Sequence, residues 1–260
     1  MSRSIFLFAI LLSFPSFGQT EKLPLFDKLM YISGNDTLPY RLLKPLNPQS
    51  KKSFPLVIFL HGAGERGRDN EAQIKHIKEL FLDPDNRNRQ ACYVVAPQCP
   101  EKVMWAIHDK REDGLIMKPT PTRPMAMLIE LIGMLEKEFP IDLSRIYVTG
   151  VSMGGFGTWD LIARFPDRFA AAVPICGGGD TQTAPLLKNN PIWVFHGALD
   201  KVVTPRQSRS MVKALQDAGG TPGYTEYPDV GHDSWVYAYR EPHLLPWMFD
   251  QYLEKKSKVK

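Results

Sequence analysis

The sequence predicts an α/β fold, in which a mostly parallel central sheet carries helices on both faces. Two observations support this prediction. Apolar, β-rich runs alternate with stretches of helical periodicity from about residue 55 onward, and the two longest loops follow the ends of strands. The 260 residues suffice for one large domain with a full core. We find no internal repeat, no dividing linker and no segment large enough for a separate cap domain.

The strands are predicted from short runs of apolar and β-branched residues. Residues 28–32 and 38–43 flank Gly34-Asn35-Asp36, a sequence that favours a hairpin turn, so they are expected to add an antiparallel edge. The remaining runs are residues 56–60, 93–96, 146–149, 171–175, 192–195 and 224–227. The last of these is polar enough for an edge strand.

Helices are predicted between the strands. Apolar residues recur at helical spacing in residues 123–139, and Pro166 and Gly219-Gly220 end two other stretches. The predicted helices are residues 71–81, 123–139, 154–165, 205–218 and 243–252. Two longer loops, 98–122 and 177–190, leave strand ends, where ligands bind in open α/β sheets.

The first 18 residues have the pattern of a secretory signal peptide. Arg3 supplies a positive charge, residues 5–12 are unbroken and apolar, and Ser16 and Gly18 are small residues at the −3 and −1 positions of a cut before Gln19. The alternative, a membrane anchor, is disfavoured by the short apolar run and by Pro15. We therefore expect an exported protein, periplasmic or secreted, whose catalytic domain is residues 19–260.

Charge and cysteine usage exclude several classes of partner. The 32 basic and 28 acidic residues are spread along the chain, and the basic run 255–260 is typical of a solvated terminus, so no nucleic-acid partner is expected. Three cysteines are an odd number, and their spacing matches no zinc site. A disulfide between Cys99 and Cys176 is left open, as is the oligomeric state.

The most informative motif is Gly150-Val151-Ser152-Met153-Gly154, which follows the predicted strand 146–149. A glycine on each side of the serine permits a sharp turn from strand to helix, because a larger residue would clash there. Such a turn exposes the serine oxygen at the end of a sheet. Ser152 is therefore the predicted nucleophile.

A nucleophilic serine needs a base and a carboxylate that orients the base. In this architecture they follow the serine in the order acid, then histidine, on loops after later strands. Asp200 and His232 meet that order. His243 falls inside a predicted helix and is disfavoured. The rival acids are Asp180, Asp229 and Asp233, of which the first follows an earlier strand and the others lie close to His232 in the chain.

An oxyanion hole requires backbone N–H donors. One is expected from Met153, directly after the nucleophile at a helix start. The other is expected from Ala63 or Gly62, in the glycine-rich loop after the strand 56–60. His61 is interpreted as a structural residue beneath the site rather than a catalytic one.

These motifs together resemble the α/β-hydrolase serine esterases, in the branch that includes phospholipase/carboxylesterase, dienelactone-hydrolase-like and feruloyl-esterase-like proteins. The matching stretches are HGAGERG at 61–67, APQCP at 96–100, GVSMGGFGTW at 150–159, HGALD at 196–200 and GHDSW at 231–235. The resemblance implies a single α/β-hydrolase domain and the Ser152, Asp200, His232 triad. Dienelactone hydrolases carry a nucleophilic cysteine, and Ser152 in its place favours ester hydrolysis.

The resemblance also implies a substrate class. We expect a cofactor-free, metal-free carboxylic ester hydrolase that acts on short-chain acyl, acetyl or feruloyl esters of small molecules or polysaccharides. Trp105 and Trp235 are candidate substrate-binding residues, with packing as the alternative for each. A peptidase of the same fold is a further alternative, and a non-catalytic carbohydrate-binding protein is a weaker one.

Overall fold

The computed structural model describes residues 26–111 and 114–254, which contain ten strands and eight α-helices. The strands are β1 (Asp27–Ser33), β2 (Asp36–Leu43), β3 (Phe54–Leu60), β4 (Tyr93–Pro97), β5 (His108–Arg111), β6 (Gly114–Met117), β7 (Ile141–Val151), β8 (Ala171–Ile175), β9 (Trp193–Gly197) and β10 (Gly223–Tyr227). The helices are α1 (Lys78–Leu82), α2 (Pro84–Arg89), α3 (Arg123–Glu138), α4 (Met153–Arg164), α5 (Ala184–Leu187), α6 (Arg206–Asp217), α7 (Trp235–Ala238) and α8 (Leu244–Phe249).

Eight of the described strands form one sheet in the order β1-β2-β4-β3-β7-β8-β9-β10. The pairs β1–β2 and β2–β4 are antiparallel, and every other neighbouring pair is parallel. Gly34, in the turn between β1 and β2, has a φ of 61°, which glycine adopts without strain. The mostly parallel sheet and its hairpin edge are therefore confirmed, and polar β10 lies at the opposite edge as predicted.

Apolar side chains of the central strands point alternately to the two faces of the sheet, so both faces are covered by helices. In β3, Leu56, Ile58 and Leu60 belong to one buried cluster, while Val57 and Phe59 belong to the other. Helices α3, α4 and α6 contribute to the first cluster, and α1 and α8 contribute to the second. A strand buried on both faces is apolar throughout, which is the pattern that predicted this fold.

Two predicted helices differ from the observed ones. The helix predicted at 71–81 is divided into a 3-10 turn, Ala72–Ile74, and the short α1. Side chains in this segment have partners outside a regular helix: Gln73 donates to Asn70 Oδ1 at 2.5 Å, and His76 lies 3.1 Å from Glu65. Such tertiary contacts override the local periodicity. The last helix, predicted at 243–252, is limited to α8.

The loops predicted at 98–122 and 177–190 both contain regular structure. Strands β5 and β6 pair into an antiparallel hairpin inside the first, and a 3-10 turn, Thr181–Thr183, precedes α5 in the second. Asp180 joins the two loops, since its carboxylate accepts from Met117 N at 3.0 Å and from Arg111 at 3.2 Å. The hairpin thus depends on a partner that is remote in sequence.

Across residues 26–111 and 114–254, no helix has the length and apolar character needed to cross a bilayer. The predicted signal peptide, residues 1–18, the cut before Gln19 and the basic run 255–260 lie outside the described residues.

Close backbone packing fixes the turn between β7 and α4. A Cβ placed on Gly154 would lie 1.8 Å from the carbonyl oxygen of Leu60 in β3, and one on Gly150 would lie 2.3 Å from the carbonyl oxygen of Gly154. Only glycine leaves room for these contacts. The start of α4 is therefore pressed directly against the end of β3, which brings the loops after β3 and β7 together.

We predict that Gly154→Ala lowers the free energy of unfolding by at least about 3 kcal/mol, because the new methyl group overlaps backbone that cannot move aside cheaply. Gly133→Ala in α3 is the matched control. Its Cβ would meet nothing within 4 Å, and alanine is expected to stabilise a helix interior by about 0.5–1 kcal/mol. Urea unfolding of both variants measures this, and a Gly154→Ala protein as stable as Gly133→Ala would contradict the packing account.

Candidate active site

Ser152 occupies a strained turn at the end of β7. Its φ of 53° and ψ of −115° are unusual for a residue other than glycine, and they place it as the N-cap of α4. Its amide donates to the carbonyl of Ile175 in β8 at 3.0 Å, so a neighbouring strand holds the turn. The side chain of Ser152 is half-buried and reaches the carboxyl edge of the sheet.

Ser152, His232 and Asp200 form a continuous chain of hydrogen bonds. His232 Nε2 lies 2.9 Å from Ser152 Oγ, and His232 Nδ1 lies 2.7 Å from Asp200 Oδ2. Because a carboxylate only accepts, Nδ1 carries the ring hydrogen and Nε2 presents its lone pair to the serine hydroxyl. This tautomer is the one that can accept a proton from Ser152.

The carboxylate of Asp200 is completely buried and accepts four hydrogen bonds. Oδ1 accepts from the amides of Val202 at 2.8 Å and Val203 at 2.9 Å, and Oδ2 faces His232 and His196. Burial alone would raise the pKa of Asp200, but the hydrogen bonds from His232 and from the two amides outweigh it and hold the pKa below its ordinary value. Asp200 is thus an ionised, fixed acceptor.

His196, in the HGALD stretch after β9, is a site neighbour that the sequence reasoning did not single out. Its Nε2 lies 3.1 Å from Asp200 Oδ2 and 2.9 Å from the carbonyl oxygen of Val203, so Nε2 carries the hydrogen. Its Nδ1 lies 2.7 Å from the Ser208 hydroxyl. Burial lowers the pKa of His196, against the opposing effect of its bonds to Val203 and Asp200. The only sequence signal for this residue was its place in the motif.

The alternative acids and the alternative histidine lie outside the hydrogen-bond chain of Ser152, His232 and Asp200. Asp180 caps the 3-10 turn that follows it and anchors the β5–β6 hairpin, while Asp229 and Asp233 are exposed. His243 is exposed at the start of α8. Among the described residues, none of these four makes a hydrogen bond or ion pair with Ser152 or His232.

The predicted oxyanion donors stand at the starts of two helical turns. Met153 is the first residue of α4, and Ala63 is the first residue of the 3-10 turn Ala63–Glu65, with Gly62 as its N-cap. The first N–H groups of a helix have no partner within it, so both amides are available to an anion. A Cβ on Gly62 would lie 3.6 Å from the carbonyl oxygen of Val151, which shows how closely this loop approaches the nucleophile turn.

His61 lies beneath this loop as a structural residue. Its Nδ1 donates to the carbonyl of Gly62 at 2.6 Å, and its Nε2 accepts from the amide of Cys99 at 2.9 Å. Burial lowers the pKa of His61 to about 4, although the bond to Gly62 opposes this. The ring is therefore neutral at physiological pH and links the oxyanion loop to the loop after β4.

The two candidate tryptophans differ in exposure. Trp105 is fully buried, donates from Nε1 to the carbonyl of His61 at 3.2 Å and packs against α4 at Gly157, so the structure favours the packing alternative and not a pocket wall. Trp235 is half-buried, and its ring stands edge-on to His232 with the centroids 5.3 Å apart. Trp235 therefore borders His232.

Cys176 lies beside the triad and is fully buried. All three cysteines are free thiols, so the bridge between Cys99 and Cys176 is not formed. Within the described residues, the ligand atoms of Cys176, Asp200 and His232 lie within 4.8 Å of one another. Burial raises the pKa of the Cys176 thiol to about 12, which keeps it protonated, and a protonated thiol is a poor metal ligand. The prediction of a metal-free, cofactor-free site stays a prediction.

Comparison with known proteins identifies the family. The model of the dienelactone hydrolase family matches residues 88–248, which include Ser152, Asp200 and His232. The chain belongs to that family.

The chain has two relatives that carry esterase names. It is 27% identical over 191 residues to a probable carboxylesterase SOBER1-like of Arabidopsis thaliana, covering 68% of this chain and 71% of that protein. It is 28% identical over 112 residues to the bifunctional acetylxylan esterase/xylanase XynS20E of Neocallimastix patriciarum, covering 42% of this chain and 17% of the relative.

The fold of the chain is similar to that of a solved esterase structure. A thermostable esterase superimposes with a TM-score of 0.80 at 39% identity, over 87% of this chain. The chain spans 63% of that esterase's length. The α/β-hydrolase fold and the class of carboxylic ester hydrolase are accordingly confirmed.

We predict that His196→Asn lowers kcat/KM for a simple ester by about fivefold, the equivalent of one hydrogen bond. The shorter side chain no longer reaches Asp200 Oδ2, which then keeps His232 as its one side-chain partner and is held less firmly. Ser208→Ala is the control, since it removes the other partner of His196 and leaves the contact with Asp200 in place. An unchanged kcat/KM in His196→Asn would show that His196 does not help to position Asp200.

Proposed function

We propose that the protein is a serine esterase in which Ser152 is the nucleophile, His232 the general base and Asp200 the residue that orients His232. The observation that carries the proposal is the chain of hydrogen bonds from Ser152 Oγ to His232, 2.9 Å, and from His232 to Asp200, 2.7 Å. These contacts hold the three side chains in the geometry that proton transfer from the serine requires.

The first half of the reaction forms an acyl-enzyme. As Ser152 Oγ attacks the ester carbonyl carbon, His232 Nε2 takes the hydroxyl proton, and the carbonyl oxygen becomes an oxyanion. The amides of Met153 and of Ala63 or Gly62 donate to that oxyanion, with the N-terminus of α4 favouring its charge. His232 then returns its proton to the leaving alkoxide oxygen as the carbon–oxygen bond breaks.

The second half regenerates the enzyme. Water attacks the acyl carbon while His232 Nε2 takes a proton from it, and the same donors hold the second oxyanion. Protonation of Ser152 Oγ by His232 releases the carboxylic acid. In both halves the ionised Asp200 stabilises the transient imidazolium, and its low pKa keeps it from taking the proton itself.

The proposed substrates are short-chain acyl, acetyl or feruloyl esters, including esters of carbohydrates. The absence of a cap domain between residues 26 and 254 leaves a long acyl chain without a cover. The similarity to an acetylxylan esterase/xylanase favours acetyl groups on a polysaccharide. We also propose that the enzyme is exported, on the pattern of residues 1–18, and that the mature chain starts at Gln19.

The test is the hydrolysis of 4-nitrophenyl acetate, butyrate and octanoate and of methyl ferulate by the exported protein, whose first residue is read by N-terminal sequencing. We expect turnover of the short esters, and a loss of about 10⁴-fold or more in kcat for Ser152→Ala and for His232→Ala.

Ser50→Ala is the matched control, because Ser50 is exposed in the loop between β2 and β3. Circular dichroism verifies that each variant is folded. Near wild-type turnover in Ser152→Ala would refute the mechanism. No ester turnover by folded wild type, with cleavage of a peptide substrate, would refute the esterase assignment. A first residue other than Gln19 would contradict the proposed cut.

A further inference from the structure

A groove of 340 Å³ lies between the segment of α1 and α2 and the segment of α7, and one of its lining residues, Trp235, contacts His232. We call it the Trp235 groove. The residues that define it here are Lys75, His76, Glu79, Asp83, Trp235 and Arg240. Its volume is within the range of small-molecule sites in proteins.

Trp235 connects the groove with the triad. Its ring stands edge-on to His232, with the centroids 5.3 Å apart, and lies tilted against His76, with the centroids 5.1 Å apart. His76 is held in turn by the buried Glu65 of the oxyanion loop, 3.1 Å away. The Trp235 ring is therefore held by His232 and by His76, which is itself held by Glu65.

The polar rim of the groove has unused hydrogen-bonding capacity. Lys75, Glu79 and Arg240 are exposed, and their side chains make no hydrogen bond or ion pair with any residue of the described chain. Asp83 uses Oδ1 to cap α2 and leaves Oδ2 available. Positively and negatively charged side chains thus surround the half-buried ring of Trp235.

The chemistry of the proposed triad determines which half of an ester, the acyl group or the alcohol, binds in the Trp235 groove. The leaving oxygen must receive its proton from His232 Nε2, so the alcohol half departs on the His232 side of the scissile carbonyl. A groove that adjoins His232 through Trp235 therefore receives the alcohol and not the acyl group.

The lining selects the kind of alcohol. A sugar ring has C–H faces that pack on an aromatic side chain and a rim of hydroxyl groups that both donate and accept. Trp235 offers the first surface, and Lys75, Glu79, Asp83 and Arg240 offer partners for the second. A purely apolar alcohol would cover these charged groups without replacing their hydrogen bonds to water, which is unfavourable.

We propose that the Trp235 groove binds the sugar ring of a carbohydrate ester, an inference that rests on the proposed esterase function. Lys75 and Glu79 determine specificity for the alcohol, and Trp235 is the ring on which the sugar packs.

The test compares two esters that deliver the same acyl group on different alcohols. The pairs are acetylated xylotriose with 4-nitrophenyl acetate, and a feruloylated arabinose with methyl ferulate. For each pair, we compare the ratio of kcat/KM for the sugar ester to kcat/KM for the simple ester between wild type and variant. The change in this ratio reports binding of the sugar, because the difference in leaving-group reactivity cancels. We expect the double variant Lys75→Ala/Glu79→Ala to lower this ratio by about tenfold or more, through KM, for at least one pair.

The matched control is Lys137→Ala/Glu138→Ala, which removes the same two charges from exposed positions at the end of α3. The end of α3 leads into the amino end of β7, whereas Ser152 follows the carboxyl end of β7. The two positions therefore lie at opposite ends of that strand. The ratio should stay at the wild-type value in this control. Thermal unfolding of both double variants verifies that neither change acts through stability.

Two results would overturn the groove proposal while leaving the esterase intact. One is a ratio unchanged in Lys75→Ala/Glu79→Ala. The other is a wild-type enzyme that hydrolyses 4-nitrophenyl acetate and methyl ferulate but neither sugar ester. If a folded wild type hydrolyses none of the four esters, the proposed esterase function fails as well. Turnover of the two simple esters therefore distinguishes failure of the groove proposal alone from failure of the esterase proposal.

Discussion

The tight turn at Ser152 is the constraint on which the site depends. Gly154 lies so close to the Leu60 carbonyl that the start of α4 is locked against the end of β3, and the Ser152 amide is tied to Ile175 in β8. These contacts place Ser152, the proposed nucleophile, together with the amide of Met153 and the loop that carries Ala63 at the carboxyl ends of the strands. The left-handed φ of Ser152 is strain that the surrounding strands impose and maintain.

Asp200 is the electrostatic centre of the same region. Two backbone amides and two histidines share its buried carboxylate, so a single charge orients His232 and also ties the loop after β9 to α6 through His196 and Ser208. An ionised carboxylate at 0% exposure is stable only because each of these donors is in place. Stability and reactivity thus depend on the same group.

The sequence predicts the sheet well, and the three residues of the proposed triad follow from the same local patterns joined by topology. Apolar runs define β3, β7 and β8, and the parallel arrangement carries Ser152, Asp200 and His232 to one edge. What it could not predict depends on contacts between distant segments. The β5–β6 hairpin needs Asp180, the broken helix near His76 needs Glu65, and the burial of Trp105 depends on α4 and His61. None of these partners leaves a periodic signal in the chain.

The identity of the nucleophile is the central claim, and active-site labelling tests it most directly. The folded protein is treated with diisopropyl fluorophosphate, and its peptides are analysed by mass spectrometry. We predict one phosphoryl adduct, on Ser152, and a large loss of labelling rate in His232→Ala, because the hydroxyl then lacks its base. An adduct on another serine, or no adduct on a folded protein, would contradict it.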